Sequence, residues 1–137
     1  MYAEVFKIAL FEPDIPQNTG NIARLCACTN SELYLIGKLG FHLTDKYLKR
    51  AGLDYWNDIK IEQFNNLSEL EKKFKENNFY YLSTKAEKIY TEAIFKPGDI
   101  LVFGSETKGL PKELIQNNPD KSLKIPMKTD KRSLNIA

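Results

Sequence analysis

The sequence is poor in the residues from which disulfide frameworks and metal sites are built. It has two cysteines and one histidine among 137 residues, too few for a disulfide scaffold or a Cys/His zinc set. Cys26 and Cys28 lie two positions apart in a helical pattern, so they point to different faces and are not expected to bond to each other. We interpret them as small residues packed between helices.

Long apolar runs and a large excess of either charge are also absent. No run approaches the length of a membrane span, and the first residues lack the basic-then-apolar pattern of a secretory signal, so we expect a cytoplasmic protein. The net charge of +2 decides neither for nor against nucleic acid. Basic residues cluster at 46–50 and 121–132, where they could contact phosphates, although a solvated surface is the commoner explanation for such clusters.

What is present fits an ordinary globular protein. Apolar residues make up 42% of the chain and charged residues 28%. The length suits one domain, residues 1–137, with a sizeable core. Apolar patterns predict strands at residues 5–11, 32–36, 59–64, 79–84, 100–103 and 123–126, and helices at residues 18–29, 44–51, 68–75 and 111–116. Strands that alternate with helices predict a largely parallel α/β sheet.

The most informative segment is the loop FGSETKGLP at residues 103–111. It follows the apolar run at 100–102, so a buried strand is predicted to open into a loop that carries one carboxylate. Ligands of open α/β sheets bind at such carboxyl ends. Gly104 and Gly109 would let backbone amides approach a ligand closely. The loop is not a phosphate-binding P-loop, because no Ser or Thr follows a Gly-Lys pair.

Several further segments stand in a fixed order around that loop. They are FEP at 11–13, NTGNIARLC at 18–26, RAGLDY at 50–55, IPM at 125–127 and RSLN at 132–135. In order and spacing they resemble the SPOUT superfamily of methyltransferases, and most closely the small tRNA (cytidine/uridine-34)-2′-O-methyltransferases of the TrmL (YibK-like) group. The resemblance covers essentially the whole chain.

The resemblance implies a specific version of the α/β fold. Its members have a six-stranded parallel sheet flanked by helices, a C-terminal deep trefoil knot and a homodimeric assembly. It also places one more amphipathic helix after Asn135, beyond the end of the given sequence. Periodicity alone could not have indicated the knot, because knots are rare among folds.

The resemblance further implies S-adenosyl-L-methionine as methyl donor, with S-adenosyl-L-homocysteine as product and no metal. Adenine and a methionine tail need an apolar slot with nearby backbone hydrogen bonds. By position, the residues that match the family's cofactor-binding loops are Leu82, Thr84, Gly104, Glu106, Gly109, Ile125, Met127 and Ser133.

Three catalytic residues follow from the same match: Arg24, Ser133 and Asn135. The family position of Arg24 is assigned to deprotonating or orienting the ribose hydroxyl. Arginine is a poor base, so we favour orientation and phosphate anchoring. Ser133 and Asn135 would offer hydrogen bonds near the reacting centre. Asn18 and Asn21 would hold the loop of Arg24, reach RNA, or form a turn.

The resemblance therefore predicts 2′-O-ribose methylation of the wobble nucleotide, position 34, in the anticodon stem-loop of tRNA, where the base is cytidine or a modified uridine. One alternative is methylation of ribosomal RNA. Another is a non-catalytic RNA-binding or assembly protein with the same fold. An unrelated nucleotide-binding α/β protein is disfavoured because the chain lacks both the dinucleotide fingerprint and the P-loop.

Overall fold

A parallel sheet forms the centre of the part of the chain that the computed structural model describes, residues 7–42 and 61–124. Its strands are β1 (Lys7–Phe11), β2 (Glu32–Ile36), β3 (Ile61–Phe64), β4 (Phe79–Leu82), β5 (Lys88–Ile89), β6 (Ile100–Phe103) and β7 (Ser122–Lys124). The helices are α1 (Pro16–Thr29), α2 (Leu67–Lys73) and α3 (Lys112–Asn117), with one 3₁₀ turn (Tyr90–Glu92). Strand order is β3-β2-β1-β6-β4-β7-β5, and every pairing is parallel.

The predicted parallel α/β sheet is confirmed, with one strand more than the six that the resemblance implies. The additional strand is β5, whose two residues pair with Leu123 and Lys124 of β7. Two residues are too few to produce an apolar pattern, so this strand could not be predicted from the sequence. The expected knot depends on residues 125–137, and the expected basic helix on residues 44–51. Both lie outside the described residues.

The central strands are almost continuously apolar because helices and loops cover both faces of the sheet. Successive residues of β1 and β2 point to opposite faces. On one face Ala9 and Tyr34 pack with Leu70 and Val102. On the other face Leu10 and Leu33 pack against α1 in a cluster whose members are Leu10, Ile22, Ala23, Cys26, Leu33 and Leu35.

Helix α1 begins two residues earlier than predicted, at Pro16 rather than Asn18. Proline suits the first helical position, because the amide it lacks would have no partner inside the helix. The buried stripe also differs from the one that the helical spacing of apolar residues predicts, which is Ile22, Leu25, Cys26 and Thr29. Leu25 is 51% exposed. The stripe that packs on the sheet runs one residue earlier, through Thr19, Ile22, Ala23 and Cys26.

The two cysteines are both free thiols, as the sequence predicted. Cys26 is buried, which confirms its packing role, whereas Cys28 is exposed on the outer side of α1, so the packing prediction is wrong for Cys28. Burial raises the pKa of Cys26 to about 12, because the apolar surroundings disfavour the charged thiolate. Cys26 is therefore a protonated packing residue at neutral pH.

Most other element boundaries shift by one or two residues. Strands β2 and β6 have their predicted bounds. Helix α2 starts at Leu67 because the side chain of Asn66 accepts a hydrogen bond from the amide of Glu69 (3.0 Å) and so caps it. Pro111 stands immediately before α3 rather than in its first turn. None of the helices in the described ranges is long and apolar enough to cross a bilayer.

Candidate functional site

The order of the strands reverses between β1 and β6, which makes this the topological switch point of the sheet. In open α/β sheets a crevice is expected at such a point, outside the carboxyl ends of the strands. These two strands are neighbours. The chain leaves β1 towards β2 on one side of the sheet, whereas it leaves β6 towards β7 on the other side. The loops at residues 12–15 and 104–111 therefore diverge around this crevice. The FGSETKGLP segment lies where the sequence predicted a ligand site.

The carboxylate of Glu106 joins these two loops directly. Its Oε1 accepts a hydrogen bond from the backbone amide of Asp14 (2.9 Å). Its Oε2 accepts one from the amide of Ile15 (3.2 Å) and another from the side-chain amide of Asn18 (3.1 Å). Hydrogen bonds to an ionised acceptor are about twice as strong as neutral ones. A residue of the glycine-punctuated loop thus fixes the start of α1, about ninety positions earlier in the chain.

This arrangement replaces an ordinary helix cap. Ile15, the residue before α1, makes no side-chain capping bond, and the first turn of α1 contains no acidic residue. The carboxylate of Glu106 supplies negative charge near that end, where the helix dipole favours it. A second link lies beside the first, because the hydroxyl of Thr107 donates to Oδ2 of Asp14 (2.5 Å). We call the loops 12–15 and 104–109, joined in this way, the carboxyl-edge unit.

The loop after β6 is closed by its own hydrogen bonds. The amide of Gly109 donates to the carbonyl oxygen of Ser105 (2.9 Å), and the amide of Lys108 donates to the Ser105 hydroxyl (2.9 Å). A Cβ atom on Gly104 would lie 2.2 Å from the carbonyl carbon of Gly109. Glycine is needed at 104 because the loop folds back onto it. The expectation that its backbone also approaches a ligand stays a prediction.

Gly109 has the opposite surroundings. Its φ of +70° favours glycine, yet a Cβ placed there would meet no atom within 4 Å. Its amide is engaged by Ser105, so what it offers a ligand is open space. The side of the loop that carries Gly109 is thus the accessible one.

The remaining predicted cofactor residues divide between described and undescribed parts of the chain. Leu82 is half-buried at the end of β4, in register with Phe103 of β6 and Leu123 of β7. Thr84 is exposed in the turn that follows. The structure therefore places Leu82 at the same sheet edge as the carboxyl-edge unit. The predicted site residues that lie outside the described residues are Ile125, Met127, Ser133 and Asn135.

Arg24 lies on the exposed side of α1, as predicted for a residue outside the core. It follows Pro16 by eight positions, which is roughly 12 Å along a helix. Gly20, one turn before it, is buried, and Asn18 in the first turn of α1 donates to Glu106. Glu106 therefore fixes the base of the helix that carries Arg24.

Sequence reasoning missed two members of the unit, Asp14 and Thr107. It weighed three roles for Asn18, and the structure shows that Asn18 donates to Glu106. Asn21 is exposed. A usable signal for the two missed residues was their position, because Asp14 directly follows the FEP segment and Thr107 lies within the FGSETKGLP segment. Within residues 7–42 and 61–124, no three His, Cys, Asp or Glu side chains come close enough to share a metal ion.

Comparisons with known proteins agree with this geometry. The chain matches the model of the SpoU rRNA Methylase family over residues 5–137. A tRNA (cytidine(34)-2′-O)-methyltransferase of Saccharophagus degradans is 46% identical over 134 residues, which cover 97% of this chain and 87% of that protein. A structure solved to give insight into the 2-OH methylation of C/U34 on tRNA has a TM-score of 0.90 at 39% identity, and the match covers 97% of this chain and 87% of that one.

A more distant structure supports the fold alone. The SpoU methyltransferase AviRb of Streptomyces viridochromogenes, solved with AdoMet, has a TM-score of 0.84 at 17% identity, over 99% of this chain and 54% of that one. The resemblance that the sequence indicated and its α/β fold are both confirmed.

Replacing Glu106 by alanine removes the acceptor of three hydrogen bonds. Two backbone amides of the 12–15 loop then lose the oxygen to which they donate. We expect the free energy of unfolding to fall by about 2 kcal/mol, the usual worth of hydrogen bonds to a charged group. Urea denaturation at one fixed protein concentration measures this. Glu87→Ala removes an exposed glutamate in a loop and should change the value by less than about 0.5 kcal/mol. Equal values for the two variants would refute the link.

The two glycines of the loop should respond differently to alanine. Gly104→Ala forces a methyl group against the backbone and should destabilise the protein by about 3 kcal/mol, as overpacking does. Gly109→Ala has space and carries only the left-handed backbone penalty, about 1.5 kcal/mol. The same denaturation experiment ranks the two variants. A larger loss for Gly109→Ala would contradict the described loop closure.

Proposed function

The chain belongs to the SpoU rRNA Methylase family, and on this basis we propose that it is an S-adenosylmethionine-dependent enzyme that methylates the ribose 2′-oxygen of nucleotide 34 of tRNA, a cytidine or modified uridine. The observation that carries the proposal is the near full-length match, at 46% identity, to a relative named for that reaction. The described geometry supports it, because the family's cofactor loop, Leu82 and the helix of Arg24 meet at one sheet edge.

We assign the methyl donor to the crevice beside the carboxyl-edge unit. The residues present fit such a ligand, since half-buried Leu82 offers an apolar wall and the open side of Gly109 leaves space. When bound, the donor would supply a methyl group on a sulfonium: the bond from the ribose oxygen to the methyl carbon would form as the carbon–sulfur bond breaks, and the hydroxyl proton would pass to water. Glu106 holds the loop in place, because both of its oxygens already accept protein hydrogen bonds.

Arg24 orients the RNA. A guanidinium offers donors in a planar fork and has no acceptor, so it suits a phosphate or the ribose hydroxyl better than it suits proton abstraction. Correct positioning of reacting atoms contributes several kcal/mol to a transfer of this kind. Because α1 is fixed at its base by Glu106, Arg24 projects from a rigid element rather than from a loop.

The other assignments rest on the resemblance. Ser133 and Asn135 would supply hydrogen bonds to the reacting centre, while Ile125, Met127 and Thr84 would complete the donor pocket. The domain would span residues 1–137. A cytoplasmic location is supported by the free thiols of Cys26 and Cys28, which suit a reducing compartment.

The proposal includes a homodimer, and the exposed side chains on the outer side of α1 support it. Asn21, Arg24, Leu25 and Cys28 are all exposed there, and Leu25 leaves half of an apolar side chain in solvent. A second copy of the chain packed on this side would bury Leu25 and bring Arg24 close to the partner subunit. The catalytic arginine would then act near a subunit boundary.

The function is tested in cells that lack this protein. Mass spectrometry of their tRNA nucleosides should show that the 2′-O-methyl group at position 34 is missing, and a plasmid copy of the protein should restore it. Arg24→Ala should restore less than about one hundredth of the modification rate, because a mispositioned hydroxyl reacts that much more slowly. Calorimetry should show that this variant still binds S-adenosylmethionine with near-normal affinity.

Arg24→Lys is the matched control, since it retains the charge and loses the fork. We expect an intermediate rate. Full restoration by Arg24→Ala would remove Arg24 from the mechanism. A missing methyl group in ribosomal RNA with position 34 unchanged would replace tRNA by rRNA as the substrate. No change in either RNA, together with no donor binding, would favour a non-catalytic RNA-binding protein.

The dimer is tested by sedimentation velocity at micromolar protein concentration. The native chain should sediment as a dimer, and Leu25→Asp should shift it towards a monomer because a carboxylate would be buried at the interface. Ile94→Asp is the matched control on another surface, where the native side chain is 80% exposed. A monomeric native protein, or an equal effect of both variants, would refute this interface.

A further inference from the structure

A second concave surface lies at the amino-terminal ends of the strands, whereas the carboxyl-edge unit lies at their carboxyl-terminal ends. This open cavity has a volume of about 380 Å³ and lies beside the amino ends of β4, β5 and β7. Asn78 and Lys121 line it, and each directly precedes a strand. Since β4 has four residues of about 3.3 Å each, roughly 13 Å of strand separates the cavity from the site at the other edge. We call it the amino-edge cavity.

The lining of this cavity is strongly basic. Lys88, Lys96 and Lys121 contribute three positive charges and Asp120 one negative charge. The lining therefore carries a net charge of +2. None of the three lysines forms an ion pair with another residue of the described part of the chain. Their charges are therefore available to an anionic partner.

The walls that carry these lysines are held in place. Asp99, which is buried, accepts a hydrogen bond from the backbone amide of Lys96 (2.7 Å) and another from the side chain of Asn78 (3.3 Å). The hydroxyl of Tyr80 donates to the carbonyl oxygen of Ile94 (3.3 Å). The segment at 94–99 is thus fixed to the start of β4. A fixed array of charges loses less conformational entropy on binding than flexible surface lysines do.

Aromatic and apolar groups lie among the charges. The ammonium of Lys121 is 4.7 Å from the centre of the Tyr80 ring, and the ring of Phe95 packs edge-on against Tyr80 at 4.9 Å. Ile94 exposes 80% of its surface at the rim. Apolar groups between cations suit RNA, which presents base faces as well as backbone phosphates. Lysines act as point charges for phosphate and carry no base specificity.

We propose that the amino-edge cavity binds the phosphodiester backbone of the RNA substrate, as a second contact that adds affinity without reading sequence. This inference rests on the proposed function, because it assumes an RNA substrate seated at the carboxyl edge. The cavity and the methyl-transfer site then lie on one subunit at the two ends of the same strands. The contact strengthens binding and takes no part in the chemical step.

The test measures how tightly the double variant Lys88→Gln/Lys96→Gln binds tRNA. Binding is measured by fluorescence anisotropy over a series of salt concentrations. Each phosphate contact contributes about 0.7 to 0.9 to the slope of log K against log salt. Loss of two contacts should lower the slope by about 1.5 and weaken binding at 0.1 M salt about 30-fold. The control double variant Lys72→Gln/Lys75→Gln removes two exposed lysines near β3, the outermost strand on the far side of the sheet from β5. It should leave the salt slope and the affinity at 0.1 M salt unchanged.

A variant that gains binding guards against misfolding as an explanation. Asp120→Asn removes the one acidic group of the lining and should tighten tRNA binding and steepen the salt slope. The rate of methylation at saturating tRNA should remain native in all of these variants, which separates this inference from the proposed function. The inference is wrong if the native protein methylates tRNA but the lysine double variant and Asp120→Asn both keep the native affinity for tRNA and the native salt slope. Saturable binding of cytidine monophosphate in the cavity, with tRNA binding unchanged, would also overturn it in favour of a small-ligand site.

Discussion

The carboxylate of Glu106 is the interaction on which the arrangement of the site depends. Two loops that leave neighbouring strands in opposite directions have no reason to stay together, and one ionised side chain with three donors holds them. The start of α1 has no cap of its own, so the same carboxylate also determines where the helix begins. Since Arg24 projects from that helix, the position of the proposed catalytic group relative to the donor crevice depends on Glu106.

The two edges of the sheet differ in what they can do. The carboxyl edge has the divergent loops, the closed turn at 104–109 and the rigid helix that positions Arg24. The amino edge has a cavity lined by three lysines and one aspartate, and the backbone of Lys96 is held there by a hydrogen bond to Asp99. In this account, positioning for the reaction and general attraction for a polyanion are separated by the length of a strand.

The sequence predicted well where one physical cause dominates. Strands β2 and β6 have their predicted bounds because burial on both faces leaves a continuous apolar run. It predicted less well where distant residues decide. Leu25 was assigned to the core because two helical stripes one residue apart both looked apolar, and only packing on the sheet selects between them.

The site shows the same division. The segments of the site were recognisable in the sequence, but the role of Glu106 was not, since its partners Asp14 and Ile15 lie some ninety positions away. The sequence predicts that glycine matters at 104, but it does not show the close contact with Gly109 that requires it. Contacts between separate loops leave no pattern in the local sequence from which they could be predicted. Strand β5 has only two residues, too few for an apolar pattern.

The central claim is that the loops after β1 and β6 form a single unit that borders the donor crevice. It is tested most directly by two-dimensional NMR of the backbone amides during titration with S-adenosylmethionine. The amides of residues 104–110 should shift, and those of Asp14 and Ile15 should shift with them at the same donor concentration, while Asn78 and Lys121 at the other edge stay unchanged. Shifts confined to the amino edge, or a loop at 104–110 that does not respond, would contradict the account.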